Sequence, residues 1–302
     1  MRVFVRLARW GLLATALACG IMADADGQFA EPTHFSVTAH LTGQRLRETS
    51  GVAVSRVHPG VLWTHNDSGD GPSVYATDLH GRDLGTYRLI GAGALDWEDI
   101  ALGPCPAADG DCLYLADTGD NLERRPEASI YILEEPGTLA GGLDSLPARR
   151  LAVTYADGPQ DVEALAVTRD GTILLISKGR RGGIKLYRIP RLAARGPSVT
   201  VQPSNELGIV PQPALARQVT GAAVSPDGTR LVLRTYAELF FYRVGSEGLV
   251  RLGRSCWLGA REPQGEAVDF LDDSTLVLTS ESRLGRSGMI ATVRCPPGAG
   301  RP

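Results

Sequence analysis

The chain has 302 residues, of which 43% are hydrophobic and 22% charged, with 36 glycines and 19 prolines. That is enough apolar mass for a full core and enough breakers for many turns. The formal net charge is −3 and the 31 basic residues never form a block, which speaks against a nucleic-acid surface.

The first residues read as an export signal. "MRVFVRLARW" carries Arg2, Arg6 and Arg9, and "GLLATALACGIMA" is a short apolar run, too short to span a bilayer comfortably. Cleavage is expected after Ala23, giving a leader over 1–23, a single domain over 30–296 and a tail over 297–302. Cys19 in "ALAC" stands where a lipoprotein would be acylated, but Ala16 replaces the usual Leu. A periplasmic or extracellular location is expected, with anchoring through Cys19 as the alternative. No later run is long enough for a transmembrane helix.

An internal repeat follows. "ETSGVAVS" from 48, "DWEDIALG" from 96, "DVEALAVT" from 161, "QVTGAAVS" from 218 and "QGEAVDFL" from 264 align, with Ser50, Glu98, Glu163, Thr220 and Glu266 at their third positions. A second β-rich run follows each, then a third. In the first four, a tyrosine recurs at Tyr75, Tyr131, Tyr187 and Tyr242. Fourth runs are read in "TYRLIGA", "RRLAVTY", "SVTVQPS" and "LVRLGRS". Four short strands per unit describe an all-β fold, a β-propeller. Five four-stranded blades account for the length; a sixth would have to hide in the long interval between Glu98 and Glu163. The last unit lacks a fourth strand, and "HFSVTAHL" at 34–41 is expected to complete it and close the ring.

Four cysteines lie beyond the leader. In an exported chain they are expected to pair as Cys105–Cys112, closing "CPAADGDC", and Cys256–Cys295, with buried free thiols as the alternative.

In a propeller, the start of each first strand lies beside the end of the second, at one channel mouth. The first-strand starts hold Glu48, Asp96, Glu98, Asp99, Asp161, Glu163 and Glu266. The second-strand ends hold His65, Asn66, Asp67, Asp70, Asp117, Asp120, Asn121, Lys178, Arg234, Tyr236 and Glu281. "DSGD" at 67–70 and "DTGD" at 117–120 are expected at matching places in two blades. So many carboxylates repel one another unless a hard cation, a basic side chain or protonation compensates. Oxygen donors and few histidines point to Ca²⁺ or Mg²⁺, and export favours Ca²⁺. The candidate ligands are Asp67, Glu98, Asp117, Glu163, Glu266 and Glu281. His65, Asn66, Lys178, Arg234 and Tyr236 are candidates for a small polar ligand, and Glu98, Glu163 and His65 for acid–base catalysis. Alternatively the two aspartate motifs are turns and the glutamates are latches between blades, with Asp99 and Glu48 foremost as latches or solvent-exposed residues. From Asn66 the EF-hand pattern fails, with Thr77 where Glu is required. Walker, H-E-x-x-H and G-x-S-x-G motifs are absent from the sequence.

At "ETSGVAVS…LWTHNDSGD…VYATDLHG", "DWEDIALG…LYLADTGDN" and "SIYILEEP" the chain resembles a group of secreted bacterial β-propellers, mostly uncharacterised. They are similar in turn to esterase-like phytase and gluconolactonase-type calcium-binding propellers. The resemblance is best over 46–136 and implies a propeller, export and an acidic mouth that often binds calcium. Six blades are common in those relatives, against five counted here.

Three functions follow as expectations. The first is a monomeric exported propeller binding Ca²⁺ and a small polar or phosphorylated ligand. The second is a metal-dependent hydrolase of a phosphoester or lactone. The third is a scaffold for an envelope protein, its partner unspecified.

Overall fold

The computed structural model describes residues 29–42, 46, 48–67, 69–246 and 248–296. The expected leader over 1–23, Cys19 and the tail over 297–302 lie outside the described residues.

Five sheets stand around a channel. The chain enters through β1 (Phe29–Ala30) and β2 (His34–Leu41). Blade one is β3 (Thr49–Val54), β4 (Val61–Asn66), β5 (Ser73–Asp78) and β6 (Asp83–Ile90). Blade two begins with β7 (Trp97–Pro104), β8 (Asp111–Asp117) and β9 (Ala128–Glu134). The chain then runs parallel to β6 as β10 (Leu143–Pro147), and β11 (Arg149–Tyr155) completes blade two. Blade three opens with β12 (Val162–Val167), β13 (Ile173–Ser177) and β14 (Leu186–Ile189). β15 (Ser198–Val201) pairs parallel to β11, and β16 (Pro203–Ser204) edges blade three. Blade four is β17 (Val219–Val224), β18 (Arg230–Thr235), β19 (Glu238–Gly245) and β20 (Gly248–Trp257). β1 pairs parallel to β20, and Phe29 packs on Trp257 with ring centroids 4.9 Å apart. Blade five is β21 (Gln264–Phe270), β22 (Leu276–Glu281) and β23 (Gly288–Arg294). β2 completes it antiparallel to β23, as the sequence implies.

The count is five. The long interval before Glu163 holds no sixth blade: part of it is β10, which protects the outer edge of blade one. One fourth strand differs from expectation. "SVTV" belongs to the edge of blade two, and blade three keeps only the two residues of β16 as its fourth strand.

Each apolar cluster fills one gap between adjacent blades, because both faces of every blade are covered. Trp63, Trp97 and Leu115 fill the gap between blades one and two; Tyr114, Leu165 and Tyr187 fill the next. The recurring tyrosines lie in the third strands. Tyr187 donates to Asp157 and Tyr242 to the Leu207 carbonyl, while Tyr131 accepts from the Gly93 N–H. These three therefore clamp the loop that enters their own blade, while Tyr75 donates to Asp70 in the β4–β5 loop. Cys105–Cys112 closes the β7–β8 turn, and Cys256–Cys295 ties β20 to the end of β23. Among the described residues, no helix is long and apolar enough to cross a membrane.

Candidate metal and ligand site at the channel mouth

Each inner strand carries one β-bulge, at the same place. The register slips between Thr49 and Gly51, Trp97 and Asp99, Val162 and Ala164, Val219 and Gly221, and Gly265 and Ala267. The bulged residues are thus Ser50, Glu98, Glu163, Thr220 and Glu266, the five third positions of the repeat. A bulge leaves its residue out of the ladder and re-aims the side chain, here five times around one ring. All five are buried. Two residues earlier stand Glu48, Asp96, Asp161, Gln218 and Gln264, a second ring of polar residues.

The same registers align the second strands. Asn66, Asp117, Ser177, Thr235 and Ser280 pair with the residue before each bulge. The next residue in each blade is Asp67, Thr118, Lys178, Tyr236 and Glu281, a third ring. The two aspartate motifs are therefore one residue out of step: Asp117 corresponds to Asn66, and Asp67 to Thr118. Matching by sequence likeness hid this offset.

The offset separates their roles. Carboxylate oxygens of Asp67, Asp96 and Glu98 lie within 4.8 Å of one another. Asp117 instead accepts from the Asp96 N–H at 3.1 Å and from Arg125 at 3.0 Å. Thr118 donates to the Val162 carbonyl, and the Asp120 N–H donates to Asp161. "DTGD" is the wall behind the carboxylates. Its glycine is a spatial requirement: a Cβ on Gly119 would fall 1.9 Å from Glu98 Oε1 and 2.6 Å from Asp96 Oδ2. In "DSGD", Asp70 is tied to its own blade, accepting from Asn66 at 2.7 Å and Tyr75 at 2.5 Å. Asn66 thus holds that loop.

A second group, Glu98, Asp161 and Glu163, also brings carboxylate oxygens within 4.8 Å. Lys178, itself buried, donates from Nζ to Glu163 Oε1 at 2.6 Å, and its Nζ lies 6.0 Å from the Tyr236 ring centroid. Arg180 approaches Asp161 Oδ2 at 3.7 Å, but that buried oxygen receives no hydrogen bond. Opposite, Gln264 Nε2 bridges Glu266 at 2.6 Å and Glu281 at 2.8 Å. Thr220 Oγ1 is buried with no hydrogen-bond partner.

The electrostatics follow from crowding. Burial, reinforced by the Glu163 charge, pushes Glu98 well above the carboxylate range. Burial raises Glu163 to about 7, with Asp161 adding to the shift and Lys178 opposing it. Burial and then the charges of Asp67 and Asp161 raise Asp96 to about 6. Burial, with Asp67 and Glu48 adding, raises Glu281 to about 7, and burial with Glu281 raises Glu266. For Lys178 burial acts downward, but Glu163, Tyr236 and Glu98 outweigh it and keep the ammonium charged.

Two expected site residues sit deeper. His65 and Arg234 pair with Gly51 and Gly221, the residues after the bulge. His65 is fully buried edge-on to Trp97, with centroids 5.6 Å apart, and its pKa is lowered by burial. Arg234 is fully buried on Glu262 at 2.5 Å and on the carbonyls of Ala267 and Thr279. Both fix blades to one another. The counterparts of Gly51 and Gly221 on the inner strands are Asp99, Ala164 and Ala267, so four small residues leave room for one aspartate. Asp99 accepts from Ile100 at 2.9 Å, from Leu165 of blade three at 2.9 Å and from Ala222 of blade four at 3.2 Å. It is a latch that closes the channel beneath the mouth.

No family model and no curated protein matches this chain. Solved structures do. The chain is similar to the PQQ-bound aldose sugar dehydrogenase of Streptomyces coelicolor, with TM-score 0.50 and 14% identity over 88% of this chain and 100% of that one. A gluconolactonase of Xanthomonas campestris, XC5397, aligns with TM-score 0.46 and 12% identity over 90% and 96% of the two chains. A luciferin-regenerating enzyme aligns with TM-score 0.45 and 12% identity over 84% and 95%. At 14% identity the likeness to the dehydrogenase is one of fold.

Proposed function

We propose that the chain is an exported β-propeller whose mouth binds a divalent cation, Ca²⁺ before Mg²⁺, together with a small polar or phosphorylated ligand. The observation that carries this is the group Asp67, Asp96 and Glu98, with Gly119 leaving space for two of the three carboxylates. Hard oxygen donors suit Ca²⁺. The neighbouring group has Lys178 on Glu163, so an added cation gains most on the outer group. Asp161 Oδ2, buried without a hydrogen bond, is a further donor at its border. Lys178 and Tyr236 mark the pole where an anionic part of a ligand meets positive charge. The two disulfides fit an oxidising compartment.

A second reading, a metal-dependent hydrolase of a phosphoester or lactone, is favoured by one juxtaposition: carboxylate oxygens of Glu163 and Glu98 lie within 4.8 Å of each other beside the outer group. A bound cation would supply positive charge to a phosphoryl or acyl oxygen. Glu163, with a pKa of about 7, could then take or return a proton near neutral pH.

Calorimetry with Ca²⁺ and Mg²⁺ on the wild type, E98Q and D96N tests the first reading. Binding that both substitutions weaken supports it; no heat and no Tm shift with either cation overturns it. A screen of phosphoesters and lactones, repeated on E163Q, then separates binding from turnover.

A further inference from the structure

We infer that the channel end opposite the acidic mouth is a second site, which binds a small zwitterion with an apolar body, of the size of an amino acid. It does not depend on the reading of the mouth, because Asp99 lies between the two.

Below Asp99 the channel widens into a cavity of about 360 Å³, small but within the range of ligand pockets. At one level of the strands each blade gives an apolar wall residue, Val54, Leu102, Val167, Val224 and Phe270. The layer above them is Ala53, Ala101, Ala166 and Ala223, except in blade five, where the same position is Asp269.

Asp269 copies the latch of Asp99 incompletely. Asp99 accepts from the next residue on its own strand, from the next blade and from Ala222 across the channel. Asp269 accepts from Phe270 at 2.7 Å and from Val54 of blade one at 2.7 Å. Among the described residues it has no third donor, and there the cavity opens. Burial raises it to about 6, so it carries charge at neutral pH. An ammonium entering the cavity supplies what the Ala222 N–H supplies to Asp99. The rim has the opposite sign. Arg56 is held by Asp111 at 2.7 Å and by the Leu102 carbonyl, and Arg169 by the Asp227 carbonyl at 3.1 Å. These bonds use a minority of the five N–H groups on each guanidinium. A carboxylate at the outer end of the ligand meets both arginines, with the apolar body against the five walls.

The test is calorimetry on the folded protein with L-leucine, isoamylamine (no carboxylate) and 4-methylpentanoate (no amine). Leucine is expected to bind, the amine about tenfold more weakly, and the acid without measurable heat, a tenfold step being about 1.4 kcal/mol. D269N keeps an acceptor for the Val54 N–H and is expected to lose leucine binding. A223L fills the cavity from another blade and should lose it too. Both should keep the wild-type Tm within a few degrees and wild-type behaviour toward Ca²⁺. No heat with leucine, binding that survives both substitutions, or equal affinity for leucine and isoamylamine overturns the assignment.

Discussion

Lys178 Nζ and Glu163 Oε1 lie 2.6 Å apart, both buried, at the mouth of the channel. Breaking such a pair from one side strands a charge, which costs about 3–5 kcal/mol. K178M is therefore expected to destabilise the protein in urea denaturation, by less than that amount near neutral pH because Glu163 takes up a proton when Lys178 no longer opposes its raised pKa. K178M/E163Q, which leaves no stranded charge, should lose less than the sum of the two single changes.

The mouth also sets a pH dependence. Asp96, Glu98, Glu163, Glu266 and Glu281 all have folded-state pKa values above their ordinary ones, through burial first and mutual repulsion second. Carboxylates shifted upward contribute stability that is complete below the unfolded values and lost as pH rises through the folded ones, about 6 for Asp96 and about 7 for Glu163 and Glu281. In chelator, Tm should be higher at pH 5 than at pH 8. Saturating Ca²⁺ should recover much of the difference at pH 8, about 2.7 kcal/mol at a hundredfold excess over Kd. A Tm that climbs from pH 5 to pH 8 in chelator would contradict this.

Gly119 gives a backbone test of the same site. G119A pushes a methyl onto Glu98 Oε1 and Asp96 Oδ2. Ca²⁺ affinity should drop by about tenfold or more, roughly 1.4 kcal/mol. The far-ultraviolet circular dichroism should stay that of the wild type.

Asp99 is expected to matter for stability rather than for ligand. D99A leaves the N–H groups of Ile100, Leu165 and Ala222 without their acceptor. At about 1–3 kcal/mol for each buried unsatisfied group, the loss should be several kcal/mol. D99N keeps one acceptor oxygen and should fall between. Amide exchange at Leu165 and Ala222 should accelerate in both.

The Cys256–Cys295 bridge joins the last two blades across 39 residues. Its removal in C256S/C295S should cost about 2–4 kcal/mol, and that of Cys105–Cys112, which closes a much shorter loop, should cost less. Denaturation curves with and without reductant measure both.

The blade count and ring closure were legible because the repeat is local: an apolar run with a polar third residue reports a bulged inner strand each time. The carboxylate-rich mouth was legible for the same reason. What sequence reading missed depends on register. Asp67 and Asp117 look alike, yet strand pairing separates them by one position, and only Asp67 joins the outer group. His65 and Arg234 were read as mouth residues because second strands end near them, but they lie one pairing deeper, where burial decides their roles. Lys178 was placed at the mouth, yet no pattern announces that it sits on Glu163. Asp96 counted among the mouth residues but not among the expected ligands; its spacing of two from Glu98, repeated by Asp161 and Glu163, was the available signal. β10 was missed, and β15 was read as a strand of blade three rather than two, because crossing to a neighbouring blade's edge leaves no mark on periodicity.

β2 has a consequence for biosynthesis. It is the first strand of the last blade to be made, and its partner β23 follows only at residues 288–294. At about 5–20 residues per second, the ribosome needs roughly 10–50 s to span that gap. The earlier blades can assemble in turn during this delay, while β2 waits for its partner. The ring therefore cannot lock until synthesis is nearly over, and a chain cut short before β23 leaves this segment and the face of blade four open to the wrong neighbours.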